Sequence, residues 1–526
     1  MRTITLFAGI LCCFAALRTA GQEAKYGSLS GGFETNTIYY MKDDKTGAQR
    51  PDDRFGSNNY LNLDYRWRNF SIGIQYEAYL PVLQGFSNAL NDNGIVYKYV
   101  AFEDKDLKIR VGDFYEQFGS GLIFRAYEER SLGLNTSLEG VKLFYSYRDK
   151  VSVRGIYGRP RKYMEHASSW ARGFDCSVNL GRLLKFEETF WQWEGSFLNR
   201  YEEYVGNRDI PSNVDAWSAR MNFESSGFSL RGEYVSKSAD PAIYNRYVSG
   251  SGKALLLEVG YVHRGLGILL NARSLKRMTF RSSREAVGFE EALNYLPALT
   301  RQHTFALANL HPYVTQGEGE SGGQIDFYYH FRKNTALGGR YGWKLQANYS
   351  TWYNLKSKGT DGLSFCTLGE ELLFRDLNID LTKKWSPSWK TLFFYSMQDF
   401  NPLVLGKEAG KIHAHIAVAE LTYTWKQRYS LRLEAQHLWT DEDEKNWAAL
   451  LLEQGIAPAW SFFVSDMYNY GATDLHYYNA GISYTQSRTR IALNYGRNRA
   501  GYQCTGGVCR EMPAYTGFNL TLTSSF

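Results

Sequence analysis

Nine histidines and a few acidic clusters are the residues here whose types and spacing could do chemistry. His413 and His415 stand two apart, so on a strand both imidazoles point the same way, a spacing that can share a metal ion. Their parity is that of Ala417, Leu421, Tyr423 and Trp425, an apolar stripe on which rim imidazoles can equally lie among lipid headgroups. His303 and His311 share one long segment with Ser282, Ser283 and Glu290, which permits a hydrolytic Ser/His/acid set. No G-x-S-x-G or other nucleophile motif stands beside any histidine. Thr440-Asp441-Glu442-Asp443-Glu444, Asp43-Asp44 and Asp52-Asp53 offer oxygen ligands that could hold Ca²⁺ or bridge to lipopolysaccharide through divalent ions. Their spacing matches no calcium loop, and such runs are more often solvated loop tips. The expectation is therefore no enzyme, no cofactor, and no assigned catalytic or metal residue.

Two stretches carry more. Between 112 and 130, Gly112, Gly119 and Gly121 permit bulges or close backbone approach, while Asp113, Glu116, Arg125, Glu128, Glu129 and Arg130 concentrate both charges. Folded inward, this stretch would make a charged constriction of the pore-loop kind; the equal alternative is a knot tying loop to wall. The second is Cys504-Thr-Gly-Gly-Val-Cys509, where four intervening residues, two of them glycine, permit the tight reversal a disulfide needs. That disulfide is expected in the last outer loop, with Cys176 and Cys366 left out of it.

The elements that must position these residues are strands. In YLNLDYRW, Leu61, Leu63, Tyr65 and Trp67 share one face against Asn62, Asp64 and Arg66; after Arg68-Asn69 the pattern restarts with Phe70, Ile72, Ile74 and Tyr76. Similar hairpins turn at 148–150, 225–227, 426–428 and 486–488. Longer polar connections lie between them, at 42–57, 158–170, 202–215, 353–370 and 498–512. Short turns alternating with long loops predict an all-β transmembrane antiparallel barrel of about 24 strands (range 20–26). Opposite the apolar stripes stand Lys142, Arg154, Arg220, Glu224, Arg231, Glu233, Arg432 and Glu434, charges that suit a wet lumen and not a dry sandwich core. Trp67, Tyr147, Trp425 and Tyr429 flank the short turns, as a periplasmic aromatic girdle would. Residues 280–322 form the longest stretch without clear alternation and carry Phe289, Leu293, Tyr295, Leu296, Leu299, Phe305 and Leu310. That apolar load predicts an extracellular loop acting as an ordered cap or plug, with a short helix from Glu285 to Tyr295.

Composition fits. Aromatics are 16% of 526 residues, yet mean hydropathy is −0.41. After residue 21 there is no uncharged apolar stretch of the ~18 residues a spanning helix needs. Met1-Arg2, the apolar run Ile4 to Leu17 and Thr19-Ala20-Gly21 read as a cleaved signal peptide, residues 1–21, ahead of a barrel over 22–526. Its removal takes away Arg2 and Arg18 and lowers the net charge from +6 to +4. That near-neutral balance argues against a nucleic-acid role, which would want a concentrated basic face. The last residues, GFNLTLTSSF, alternate to the end and stop on Phe526, which reads as a barrel-closing strand carrying the insertion signal.

GDFYEQFGSGLIFRAYEERSLG (112–133), LNYLPALTRQHTFALANLHPY (293–313), GIAPAWSFFVSDMYNYG (455–471) and GYQCTGGVCREMPAYTGFNLTLTSSF (501–526) resemble an uncharacterised Bacteroidota outer-membrane β-barrel family, a domain of unknown function. The resemblance spans the chain after the signal peptide. It implies the outer membrane of a Gram-negative bacterium and supplies no activity. No TonB box or plug domain precedes the alternation, which begins near Tyr26. Two functions remain: a gated conduit for solute or polypeptide, or a scaffold docking partners in an envelope assembly or secretion complex. The expected partners are outer-membrane lipid and lipopolysaccharide, with periplasmic or surface-exposed proteins in the scaffold case.

Overall fold

A computed structural model describes residues 26–526 except 187, 205, 207, 209, 360 and 361, so the expected signal peptide lies outside the described residues. The main sheet holds 25 strands. One of them, the two-residue Glu165–His166, pairs only with the end of Val151–Lys162. The other 24 form the wall, each antiparallel to its neighbours. The first, Ser28–Met41, pairs with the last, Tyr515–Ser525, so the sheet closes and leaves no edge.

Period-two patterning sets the two faces. Ile72, Val100, Val111, Trp217, Phe393, Leu450 and Val464 all remain exposed on the outside, an apolar surface only lipid would cover. On the opposite parity Arg220, Glu233, Asn348, Asp376, Asn378 and Glu434 turn inward and are buried. The short turns are tight: Arg148 and Asp149 (φ 48° and 53°), like Lys426 and Gln427 (49° and 52°), adopt the left-handed pair a two-residue hairpin with matching twist requires. Trp67, Tyr147, Trp425 and Tyr429 stand beside these turns, and Trp425 stacks on Tyr429 at 5.3 Å.

Phe526 extends the closing seam by one residue. Its N–H donates to the Gly31 carbonyl and its carbonyl accepts from the Gly31 N–H, both at 3.0 Å. Its ring lies over Gly31, where even a Cβ would sit 2.4 Å from a ring carbon. Phe526→Ser is expected to lower the amount of protein reaching the membrane more than the melting temperature of what has assembled. Membrane fractionation beside thermal melts tests this, and unchanged membrane levels would count against an insertion role.

Two sequence expectations are corrected. Residues 353–358 and 362–370 are strand and not loop: Trp343–Lys358 and Gly362–Lys384 extend the hairpin well past its neighbours. Register shifts between Trp352 and Ser357 break the alternation there, which hid the strands. The helix from Glu285 to Tyr295 does not form either; one 3₁₀ turn, Phe289–Glu291, stands in its place. The backbone there pairs sideways instead, Ser282 N–H to Glu291 carbonyl at 2.7 Å and Leu293 N–H to Phe280 carbonyl at 2.9 Å. Amides spent across a fold of the loop are not available to i→i−4 bonds.

Candidate functional site: a lumen occupied by its own loops

A barrel of 24 strands is too wide for its own wall side chains to fill. Three inward-folded segments occupy the half of the lumen nearer the long loops: residues 115–137, 277–318 and 499–514. All three join consecutive strands.

The first leaves the wall after Phe114, and Gly119 and Gly121 carry positive φ (56° and 94°) that turns the chain within the lumen, while Gly112 (φ 103°) stays in the wall strand opposite Gly140. Its short hairpin, Glu116–Phe118 with Phe124–Ala126, buries Phe118, Leu122, Ile123 and Phe124 against wall residues such as Leu198, Val214, Ala216 and Val235. The six charged residues predicted as a constriction do not share one opening. Asp113 accepts the Lys98 N–H at 2.9 Å, and Glu116 pairs with Lys142 at 3.2 Å. Arg125 lies between the rings of Tyr127 and Tyr295, at 4.3 and 4.0 Å. Glu128 accepts from Gln75 at 2.7 Å. Glu129 caps the turn at Ser131, and Arg130 bridges Glu34 at 2.9 Å and Glu128 at 3.3 Å. Glu116, Arg125, Glu128 and Arg130 tie the loop to its surroundings, Glu129 braces its own turn and Asp113 joins two wall strands, so the geometry is that of the knot.

The second segment crosses the lumen. Arg200 donates to the Arg281 carbonyl at 2.9 Å where it starts. Phe280 and Leu293 join the cluster around Phe118. Phe305, Leu307 and Ala308 then pack on Ile416, Val418, Leu438 and Trp447. Tyr313 packs between Trp352 and Phe374 on a third stretch of wall. Polar latches accompany each landing. Arg301 pairs with Asp380 and donates to Asn378, His303 meets Asp376 at 2.7 Å, and Gln436 accepts the Leu307 N–H at 3.0 Å. Tyr313 donates to Glu320 at 2.6 Å; burial first, then that carboxylate, push its phenol well above the usual value, so it stays a neutral donor.

The third segment is a hairpin, Gly501–Thr505 with Val508–Met512, tied by a disulfide between Cys504 and Cys509; Cys176 and Cys366 are free thiols. It leans over the lumen. Tyr295 donates to the Gly506 carbonyl, and Arg510 bridges Glu290 at 2.8 Å and donates to the Gly85 carbonyl at 2.7 Å. Gly507 (φ +77°) sits so close to Pro297 and Ala298 that a Cβ would lie 2.5 Å from the Ala298 nitrogen. The first two segments are also laced directly, Arg125 N–H to Leu293 carbonyl and Tyr295 N–H to Gly121 carbonyl, both 2.9 Å.

Space remains around these segments. A cavity of about 510 Å³ runs under the hairpin along the closing seam, bounded by Asn36, Tyr60, Tyr477, Asn479, Tyr502 and Asn519. Toward the short turns lie cavities of about 570 Å³, beside Lys108, Arg110, Lys142 and Arg154, and 440 Å³, beside Arg432, Glu453, Arg490 and Thr523.

The residues weighed for chemistry are dispersed. His413 faces outward onto Asp399, and His415 onto the Tyr395 hydroxyl at 2.7 Å, so their rings are engaged by different partners. His311 meets Asp443 at 3.0 Å, Ser283 donates to Glu202 at 3.2 Å, and Glu290 holds Arg510. Among the described residues, no group of three or more His, Cys, Asp or Glu is placed to hold a metal ion. Asp43 holds Arg497 at 2.6 Å. The sequence reading missed the seam amides, whose only signal was a run of Asn and Thr on the inward parity of neighbouring strands.

A model of a family of unknown function (DUF6029) matches residues 1–526. No curated protein matches the chain. Among solved structures, the siderophore receptor PirA from Pseudomonas aeruginosa aligns at 9% identity over 95% of this chain and 80% of its own, with a TM-score of 0.43. The P pilus usher PapC translocation pore aligns at 8% over 94% and 99%, TM-score 0.48. The copper transporter OprC aligns at 9% over 96% and 81%, TM-score 0.40. At these identities the likeness is one of fold alone.

Proposed function

We propose, for a chain that belongs to the DUF6029 family of unknown function, a non-enzymatic gated conduit in the outer membrane of a Gram-negative bacterium. The observation that carries this reading is the cavity of about 510 Å³ beneath the hairpin beside the seam. There the disulfide hairpin rests on the crossing segment through Tyr295 and Gly506, Gly507 and Pro297, and Arg510 and Glu290. That space lies directly beneath the contact, along the wall. A wall built only to hold partners needs no such space, and a lumen closed by its own segments needs no partner to seal it.

The test is single-channel recording of the full-length protein in planar bilayers, beside Gly507→Val. The substitution adds bulk where a Cβ already meets backbone, and at a φ that L residues avoid. Brief openings of the native protein, with open time rising about tenfold or more in Gly507→Val, are the expected result; a tenfold shift needs only about 1.4 kcal/mol. Silence from both proteins, folded by heat-modifiability on gels, would turn the reading toward a closed scaffold.

A further inference from the structure

The lumen is two-sided in chemistry. On one side the wall is charged, and the charges hold one another. Arg220 sits among Asp175, Glu194 and Glu233, and Lys142 is held by Glu116. The seam side beneath the disulfide hairpin is different. Around the 510 Å³ cavity stand the amides of Asn36, Asn58, Asn479, Asn498, Gln503 and Asn519, with hydroxyls from threonines and tyrosines among them. Of the charged residues there, Glu34 and Arg130 hold each other at 2.9 Å, and Arg497 is held by Asp43 at 2.6 Å. Arg499 is the remaining cation, its guanidinium 6.0 Å from the Trp447 ring centroid.

A charged solute entering this wall would give up hydration for few counter-charges. A hydroxyl-rich solute can replace its water partners there, since each amide presents a carbonyl acceptor and two donors that match an O–H in either role. The oxygens of Asn36 and Asn519 take no hydrogen bond from any protein group; both are buried in the wall, so a solute reaches them once their side chains turn toward the cavity. Tyr60, Tyr477 and Tyr502 border the same space and add aromatic faces for an apolar ring face to lie on. The volume falls within the ~300–1,000 Å³ of clefts that hold small ligands.

We infer that the solute of this conduit is an uncharged, polyhydroxylated molecule of oligosaccharide type, held along the Asn36, Asn479 and Asn519 wall beneath the disulfide hairpin. The inference rests on the conduit reading for transport but not for binding, and the two can fail separately. The experiment is calorimetric titration of the full-length protein with maltotriose, cellotriose and trigalacturonate. The detergent is lauryldimethylamine oxide, which carries no sugar.

A neutral trisaccharide should bind more tightly than the acidic one. Asn479→Leu with Asn519→Leu should weaken it about tenfold or more, as losing about 1.4 kcal/mol of hydrogen bonding would. Tyr502→Ala, on the hairpin and off the barrel wall, should weaken it too and serves if the leucine pair fails to assemble. Preference for trigalacturonate would assign the site to Arg499 and overturn the inference. So would absence of neutral binding by folded protein, or binding indifferent to these substitutions. Neutral binding with no current from native or Gly507→Val protein would keep the ligand class and remove the conduit; current without such binding would do the reverse.

Discussion

Removing residues 285–315, with a short glycine-serine bridge across the gap, should turn the barrel into a wide and steadily open pore. The deletion takes out Leu293, Phe305, Leu307 and Tyr313, which carry the three contacts with the wall. It also removes Arg301 and His303, the latches onto Asp380 and Asp376. Diameter grows with strand number, and 22-stranded barrels already need a plug. Conductance should therefore rise by about an order of magnitude or more over the intact protein, and stay up at all voltages. The barrel should still assemble, because the 24-strand ladder does not run through the segment. It should melt lower, since Ile416, Val418, Leu438 and Trp447 lose their cover, at about 1.5–3 kcal/mol for each large side chain bared. If the deleted protein conducts no more than the intact one, the 115–137 loop and the disulfide hairpin close the lumen by themselves, and the crossing segment is only filling.

How much of this could be seen in the chain beforehand divides along the range of the interactions. Alternation is local, so strands, short turns and the outward stripe were legible; Leu61 to Tyr76 shows both faces and the turn within sixteen residues. The apolar load of 280–322 also showed that the segment must be covered. Where it goes was not legible, because its partners are remote: Tyr295 meets Gly506 across 211 residues, and Arg510 meets Glu290 across 220. The charges between Asp113 and Arg130 announced a folded loop but not its use, since a constriction and a knot need the same residues and differ only in what each charge meets. The inward charges were expected on the wall of a wet lumen. Three of those named, Arg220, Glu233 and Glu434, are instead buried, at most 5% exposed, as are Arg200, Arg273 and Glu320, which the sequence did not mark. They are there because each has a carboxylate or guanidinium within reach.

Arg220 shows what that burial demands. Its guanidinium pairs with Asp175, with Glu194 at 2.6 Å and with Glu233 at 3.9 Å, and donates to Ser196 at 2.6 Å. Arg220→Met keeps similar volume and leaves three carboxylates facing one another, with only Arg154, 3.7 Å from Asp175, still beside them. Removing one side of a buried pair costs about 3–5 kcal/mol, because the remaining charge is uncompensated, not because the pair was worth that much. A loss of that order is expected in urea unfolding of the refolded barrel. Arg231→Met is the control: its partner Glu224 is exposed, so the change should stay under about 1 kcal/mol. Function should follow stability at this site. Glu233 also receives the Ser120 N–H at 3.1 Å and the Ser120 hydroxyl, which tether the tip of the 115–137 loop. Repulsion from Asp175 and Glu194 should loosen that tether and let protease reach Ser120 in the assembled protein. Adding Asp175→Asn and Glu194→Gln to Arg220→Met should recover most of the loss, since neutral side chains of the same shape need no counter-ion there. If Arg220→Met instead unfolds within about 1 kcal/mol of the native protein, the carboxylates are solvated, and the lumen at this level is wet and not packed.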